Sequence, residues 1–300
     1  MIHHHHPSPV NPDRVVVLGG SGFVGRYLLS HLKTLEIPVV SFTSGELDLC
    51  QPESVENLKQ TLQPTDSLVV ISALTPDRGR DIRTLMRNLS MIEHTCAALT
   101  EGACAQVVYI SSDAVYADEA NPVKETSCCD PSGFHGVMHL ARERMLLQTT
   151  KAAKIPLLIL RPSLLYGPGD THNGYGPNRF LRTAEKDRKI TLFGNGEEKR
   201  DHIYIEDVAQ IIGLGLLHGS EGVLNVATGT AVSFFEAAQT IVDLWKGQAE
   251  VQIECLPRSN PITHRHFDIT ETYKAFPTFQ YQSIASGLQK TFALIEKGNG

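Results

Sequence analysis

The stretch Arg14–Gly25 (RVVVLGGSGFVG) constrains the fold more than any other part of the chain. Arg14–Leu18 is a short, β-branched apolar run of the kind that forms a buried strand, and a helical pattern follows from about Phe23 to Leu35. Between them Gly19, Gly22 and Gly25 stand at GxxGxxG spacing. Each glycine has its own reason: one permits the tight turn, one lets backbone N–H groups approach a pyrophosphate, and one lets helix pack close on strand. The unpaired donors of the helix N-terminus then face the diphosphate. An ordinary strand-to-helix turn also tolerates glycine, but a strand before and a helix after point to a dinucleotide.

The same rhythm continues. Pro38–Phe42, Ser67–Ala73, Gln106–Ser111 and Pro156–Leu160 read as further strands, separated by helices over Asp81–Leu99 and from Ser132 to about Thr150. Strands alternating with helices imply crossover units, hence a doubly wound parallel sheet covered on both faces. After Arg161 the pattern changes. Residues 163–178 (SLLYGPGDTHNGYGPN) form a long Gly-, Pro- and Asn-rich loop, and loops of that length tend to be functional. The expected organisation is a dinucleotide-binding domain over 14–165 and a smaller α/β substrate-binding region over 166–300. The two interleave, with a strand and helix near 190–226 returning to the first sheet. Residues 1–13 (MIHHHHPSPVNPD) are read as a disordered leader or tag remnant.

Composition narrows the partners. Lys and Arg total 27 against 33 Asp and Glu, a net charge of −6, which excludes a general nucleic-acid or anionic-membrane binder. No apolar run reaches the ~18 residues of a membrane span. Six scattered cysteines without CxxC pairs suit neither a disulfide framework nor a zinc ribbon, so a reducing cytoplasm is expected. At the end of the second strand the acid that usually grips the NAD ribose is missing until Glu46. Arg26, Thr43 and Ser44 are placed to receive a 2′-phosphate instead, which favours NADP over NAD; a solvated Arg26 is the competing reading.

With these motifs in order, the sequence resembles the extended short-chain dehydrogenase/reductase family of nucleotide-sugar epimerases, dehydratases and reductases, from about residue 14 to 295. The likeness rests on the glycine loop, Asp48-Leu49, Ser72-Ala73, Asn88, Tyr109–Tyr116 (YISSDAVY), Leu160–Ser163 (LRPS), Tyr166-Gly167-Pro168, Phe193-Gly194, and Arg200–Val208 (RDHIYIEDV). It implies a Rossmann-type fold and coenzyme contacts from Gly19, Gly22, Phe23, Val24, Gly25, Arg26, Thr43, Ser44, Asp48, Leu49, Ser72, Ala73, Asn88, His139, Pro162 and Ser163. It also implies a nucleotide-sugar site using Asn178, Arg179, Phe193, Arg200 and Arg258, where guanidinium forks suit phosphate oxygens. Relatives form a dimeric four-helix bundle from the helices over 81–99 and 132–150, so a homodimer follows from the resemblance. Leu85, Leu89, Ile92, Met138, Leu140, Met145 and Leu146 are the apolar positions at helical spacing there.

The likeness breaks where the family does its chemistry. Ser112 is present, but the YxxxK element reads His135-Gly136-Val137-Met138-His139, with Gly136 and Glu143 keeping the frame. A Tyr needs the Lys to depress a pKa near ~10, whereas an imidazole titrates near ~6.5 unaided. Four readings follow. His135 is the general acid/base with Ser112 polarising the substrate oxygen and His139 assisting the coenzyme; or the protein binds its ligands without hydride chemistry, as a sensor or subunit. Alternatively His135 and His139 hold a metal with Glu143 or Asp113, or they merely line a pocket. HxxxH alone is a frequent chance pattern, so no metal is expected. Asp113 is kept as an auxiliary acid, but Ala114 stands where dehydratases carry Glu, which leaves epimerisation or reduction.

Overall fold

A computed structural model describes residues 2–100 and 102–298. In chain order the elements are β1 (His3–His4), β2 (Arg14–Leu18), α1 (Phe23–Thr34), β3 (Val39–Phe42), α2 (Glu53–Thr61), β4 (Asp66–Val70) and α3 (Ile82–Ala98). There follow β5 (Gln106–Ile110), α4 (Phe134–Ala153), β6 (Leu157–Pro162), β7 (Leu164–Tyr166), α5 (Pro177–Asp187), β8 (Lys189–Phe193) and β9 (Lys199–Tyr204). The remainder is α6 (Ile205–Leu217), β10 (Ser220–Val226), β11 (Ala231–Ser233), α7 (Phe234–Leu244), β12 (Gln252–Leu256), α8 (Thr270–Ala275) and α9 (Ile284–Gly298).

The large sheet runs β1-β10-β6-β5-β4-β2-β3, parallel throughout except for β1. Because β2 carries β3 on one side and β4 on the other, the winding reverses at the C-terminal end of β2, where the glycine loop emerges. A ligand crevice belongs at such a reversal. Side chains along β2 alternate: Val16 and Leu18 enter a core with Leu58, Ile92 and Leu146, while Val15 and Val17 face Leu28, Leu32 and Ile212 from α1 and α6. Both faces are covered, which is why β4, β5 and β6 are buried along their whole length and mostly apolar.

Of the stretch near 190–226, α6 and β10 join the large-sheet layers, whereas β8 pairs β12 and β9 lies between β7 and β11 in smaller sheets. A third core of Phe180, Leu192, Trp245 and Phe292 sits under these. Part of the segment expected to be a disordered leader or tag remnant takes up regular structure. His3–His4 pair with β10, His4 Nδ1 meets Ser220 Oγ at 2.8 Å and its Nε2 meets the Ala275 carbonyl at 2.9 Å. The physical reason is the otherwise open edge of β10, whose backbone groups need partners. On α3 and α4, Ile92, Met138 and Leu146 are buried within the protomer, while Ile82, Met86, Phe134, Val137 and Leu147 are exposed. Among the described residues no helix is long and apolar enough to cross a membrane.

Candidate functional site

The glycine loop is shaped by close approach. Gly19 has φ +97°, and a Cβ there would lie 2.8 Å from Ser72 N; a Cβ on Gly25 would lie 2.3 Å from the Gly19 carbonyl oxygen. Gly22 caps α1 without a side-chain hydrogen bond, so first-turn donors stay free for an anion. The Ser72 hydroxyl, buried at the end of β4 against this loop, has no hydrogen-bond partner. An uncapped helix start, a loop that excludes side chains and a waiting buried hydroxyl fit a dinucleotide diphosphate.

Other residues expected around the coenzyme divide in two. Phe23 and Val24 open α1 beside the loop, and Ala73 follows Ser72. Asn88, by contrast, accepts from Leu74 N at 2.8 Å and donates to the carbonyls of Leu74 and Thr84, so its amide shapes the segment after β4. Asp48 accepts from Cys50 N at 2.9 Å in the turn leading to α2, which holds its carboxyl below the usual range; Leu49 is core. Pro162 ends β6, and the Ser163 hydroxyl donates to Asp201, which also accepts from Thr228. At the end of β3, Glu46 accepts from both the amide and the hydroxyl of Thr43 at 2.8 and 2.9 Å, and Arg26 donates to the Gly169 carbonyl at 2.7 Å. Ser44 lies next to this acid. Two of the three groups assigned to a 2′-phosphate therefore already have partners.

The substituted pair lies on the first turns of α4. Gly136 lets that helix close on the turn after β5: a Cβ there would lie 2.0 Å from the Ala114 carbonyl oxygen. Ser112, whose Oγ accepts from Ala114 N at 3.2 Å, and His135 are thereby brought to the same end of the sheet. His135 faces a cleft of about 430 Å³ that is also lined by Leu74, Asn88, Met138 and His172. Its ring meets His139 edge-on at 4.7 Å between centroids. His139 is buried, and its Nδ1 is 2.7 Å from the Tyr109 hydroxyl, below the cleft. Burial, with His172 adding to it, pulls the His135 imidazole down to about 4. Burial, then His135 and Arg142, holds His139 well below the ordinary range. Burial thus favours the neutral form of both rings, against the expectation of an unperturbed imidazole near ~6.5, and the hydrogen bond to Tyr109 holds His139 toward the sheet.

Behind them is an ion-pair network that motif reading missed. Arg161 donates to both oxygens of Glu143 at 2.9 and 2.6 Å and to Tyr116, and Ser111 donates to Glu143 at 2.6 Å. Arg142, fully buried, donates to the Ser72 carbonyl at 2.8 Å, while its Nε has no partner. Asp113 is held by Arg265 at 3.3 Å; burial pushes its carboxyl up and the guanidinium opposes this. With Glu143 and Asp113 both held by arginines, neither is free to complete a metal site on the two histidines. Among the described residues, the group that brings three such ligand atoms together is His3, His5 and Glu221, within 4.8 Å at the β1 edge.

The expected phosphate-binding residues lie on the smaller sheets. Arg200 on β9 is 2.5 Å from Glu198, and Arg258, after β12, contacts the other oxygen of the same carboxylate. Asn178 instead ties the long loop together, accepting from Gly167 N at 3.1 Å and donating to Asp170 at 2.7 Å. Arg179 is half-buried beside Tyr175, which stacks on the partly exposed Phe193 at 5.1 Å. Neither Glu198 nor Arg265 belongs to a recognisable spacing; Arg265 reaches the site because it runs alongside Arg200.

Comparison with known proteins agrees with this geometry. The chain is 28% identical over 255 residues to the GDP-6-deoxy-D-mannose reductase of Pseudomonas aeruginosa, covering 81% of this chain and 82% of that one. It is 25% identical over 312 residues to the ADP-L-glycero-D-manno-heptose-6-epimerase of Alkalilimnicola ehrlichii, covering 95% and 94%. A crystal structure of a GDP-L-fucose synthetase from Naegleria fowleri superposes with TM-score 0.87 at 16% identity, covering 98% and 97%. The family model for the NAD dependent epimerase/dehydratase family matches residues 15–227, and the chain belongs to that family.

Proposed function

We propose that this protein is an NAD(P)-dependent epimerase or reductase acting on a nucleotide-linked sugar, with His135 in the place of the tyrosine as proton carrier. The observation that carries the reading is the placement of His135 on the cleft beside the turn that bears Ser112. When bound, the nicotinamide supplies hydride transfer at a sugar carbon. The chain's own residues do the rest. Neutral His135 accepts the proton of a sugar hydroxyl, and Ser112 donates a hydrogen bond to that oxygen. His139 fixes the inner edge of the cleft through Tyr109, whose phenol burial pushes up to about 12 and keeps protonated. Asp113, paired with Arg265, is the auxiliary carboxyl. Gly19, Gly22, Phe23, Val24, Gly25 and Ser72 surround the diphosphate of the coenzyme, and Arg200 and Arg258 with Arg179 and Phe193 face the sugar nucleotide.

For the coenzyme, Arg26, Thr43 and Ser44 support NADP, while the Glu46 carboxylate on Thr43 favours NAD, since it repels a 2′-phosphate. Fluorescence titration with NADPH and NADH separates the two; equal or absent binding rejects the NADP preference. A second reading, a binder without hydride chemistry, is favoured by the two neutral histidines and by the inward hydrogen bond of His139. Screening sugar nucleotides for coenzyme-dependent turnover decides between them. Turnover that His135→Ala leaves unchanged removes His135 from the mechanism. No turnover with any sugar nucleotide, despite coenzyme binding, supports the binder. Exposed Ile82, Met86, Val137 and Leu147 on α3 and α4 support a homodimer, testable by light scattering, and the free cysteines suit a cytoplasmic setting.

A further inference from the structure

Glu198 occupies the point where two of the proposed phosphate ligands converge. Its Oε1 is 2.5 Å from Arg200 Nη2, and its Oε2 contacts Arg258 Nη2. The residue is buried, at 8% exposure, and its backbone is pinned because Phe234 N donates to its carbonyl at 3.1 Å. Arg258 is also bound into its own loop, donating from Nε to the Asn260 carbonyl at 2.7 Å. The Glu198 side chain thus joins the loop after β12 to the start of β9. Arg265, running beside Arg200, has its own counter-ion in Asp113. The three guanidiniums are thus paired with two carboxylates, one of them shared. Burial and the neighbouring Arg265 pull the Arg200 guanidinium down, while Asp113 and Asp118 oppose them, so nearby anions favour the charged form before a ligand arrives.

We propose that Glu198 is an intramolecular competitor for Arg200 and Arg258, holding the two side chains in position and giving way to the diphosphate of an incoming nucleotide sugar. The inference rests on the reading of these arginines as diphosphate ligands. A carboxylate fixed in the chain acts at a high effective concentration, so a ligand with one negative charge offers these arginines nothing that Glu198 does not already supply. A diphosphate carries two or more charges on separate phosphoryl groups and can meet both forks at once. Glu198 therefore sets the affinity of the site and restricts it to ligands of that class. It is a positioning and specificity residue and touches none of the reacting atoms.

The test is calorimetric binding of UDP, GDP and dTDP to the full chain and to Glu198→Gln. Removing the competing charge while keeping the shape is expected to tighten the nucleoside diphosphate that binds best by about tenfold or more, the worth of one charged hydrogen bond. Glu198→Asp, which keeps the charge but is too short to span both arginines, is expected to fall between. Glu197→Gln, which removes a neighbouring acid that bonds Asn195, is expected to stay within about twofold. Thermal melting of each variant confirms a folded chain. Unchanged or weaker binding by folded Glu198→Gln, with Arg200→Ala weakening it, overturns the proposal and leaves the phosphate site standing. Absence of binding in the wild type and in Glu198→Gln alike overturns both.

Discussion

Two regions of the molecule, the first turns of α4 and the start of β9, have dealt with charge in opposite ways. At the α4 end, where the family places a phenol and an ammonium, this chain has two imidazoles that burial keeps neutral. Around β9 it has three arginines that share two carboxylates of the same chain, Arg200 and Arg258 on Glu198 and Arg265 on Asp113. The first region meets the ligand with two rings held toward their neutral form, and the second with arginines already engaged in ion pairs. A neutral ring on this buried helix face brings no charge to compensate, and His139 Nδ1 is hydrogen-bonded with the Tyr109 hydroxyl. The arginines, with Arg265 buried and Arg200 and Arg258 part-buried, need counter-ions, because an unpaired buried charge costs several kcal/mol. Binding and proton transfer are thus separable in this protein, and each end can be tested alone.

The largest effect is expected where the α4 end is anchored. Glu143→Ala strips the partner from buried Arg161 and should destabilise the fold by about 3–5 kcal/mol in denaturant unfolding. A loss below about 1 kcal/mol would mean that the network does not hold the histidine helix in place. Next comes His135→Ala, which should lower turnover by about a hundredfold or more while leaving the coenzyme dissociation constant unchanged. A parallel loss of coenzyme binding would place His135 in binding and erase the contrast between the ends. At the other end, Arg200→Ala should weaken nucleoside-diphosphate binding by about tenfold, with melting temperature little changed, since its partner Glu198 retains Arg258.

The smallest expected effect is on pH dependence. His135 has its folded pKa depressed to about 4. Above its unfolded pKa of ~6.5 both states are neutral and the group contributes nothing to the pH slope. As pH falls from there toward 4, the unfolded chain binds the proton more readily, so stability declines over that window. His135→Gln should flatten the decline between pH 6.5 and 4 in parallel melts. An unaltered slope would show that His135 is solvated, against the neutral dry end described above. In the enzymatic reading, turnover carried by neutral His135 should be level through neutrality and fall only near pH 4.

Much of this was legible from short stretches. The parallel strands and the glycine loop follow from local patterns, since strand runs and helix periodicity are set by neighbouring residues, whereas the reversal at β2 is a matter of strand order and appears only in the fold. His135 and His139 could be found because Gly136 and Glu143 hold the motif in frame. Glu198 was invisible for the opposite reason. One glutamate beside another, Glu197-Glu198, has no periodicity to mark it, and only chain packing brings Arg258 back from the far side of β12. Composition likewise says nothing of the open edge on β10 along which His3 and His4 lie.

The amino-acid sequence by itself determined the doubly wound sheet, the dinucleotide loop and the exchange of Tyr and Lys for His, because all of these reside in contiguous residues. Tertiary structure alone decided the protonation of the two imidazoles and the sharing of one carboxylate by two arginines. Desolvation and Coulomb interaction depend on what surrounds a group in space, and that is set by residues far apart along the chain.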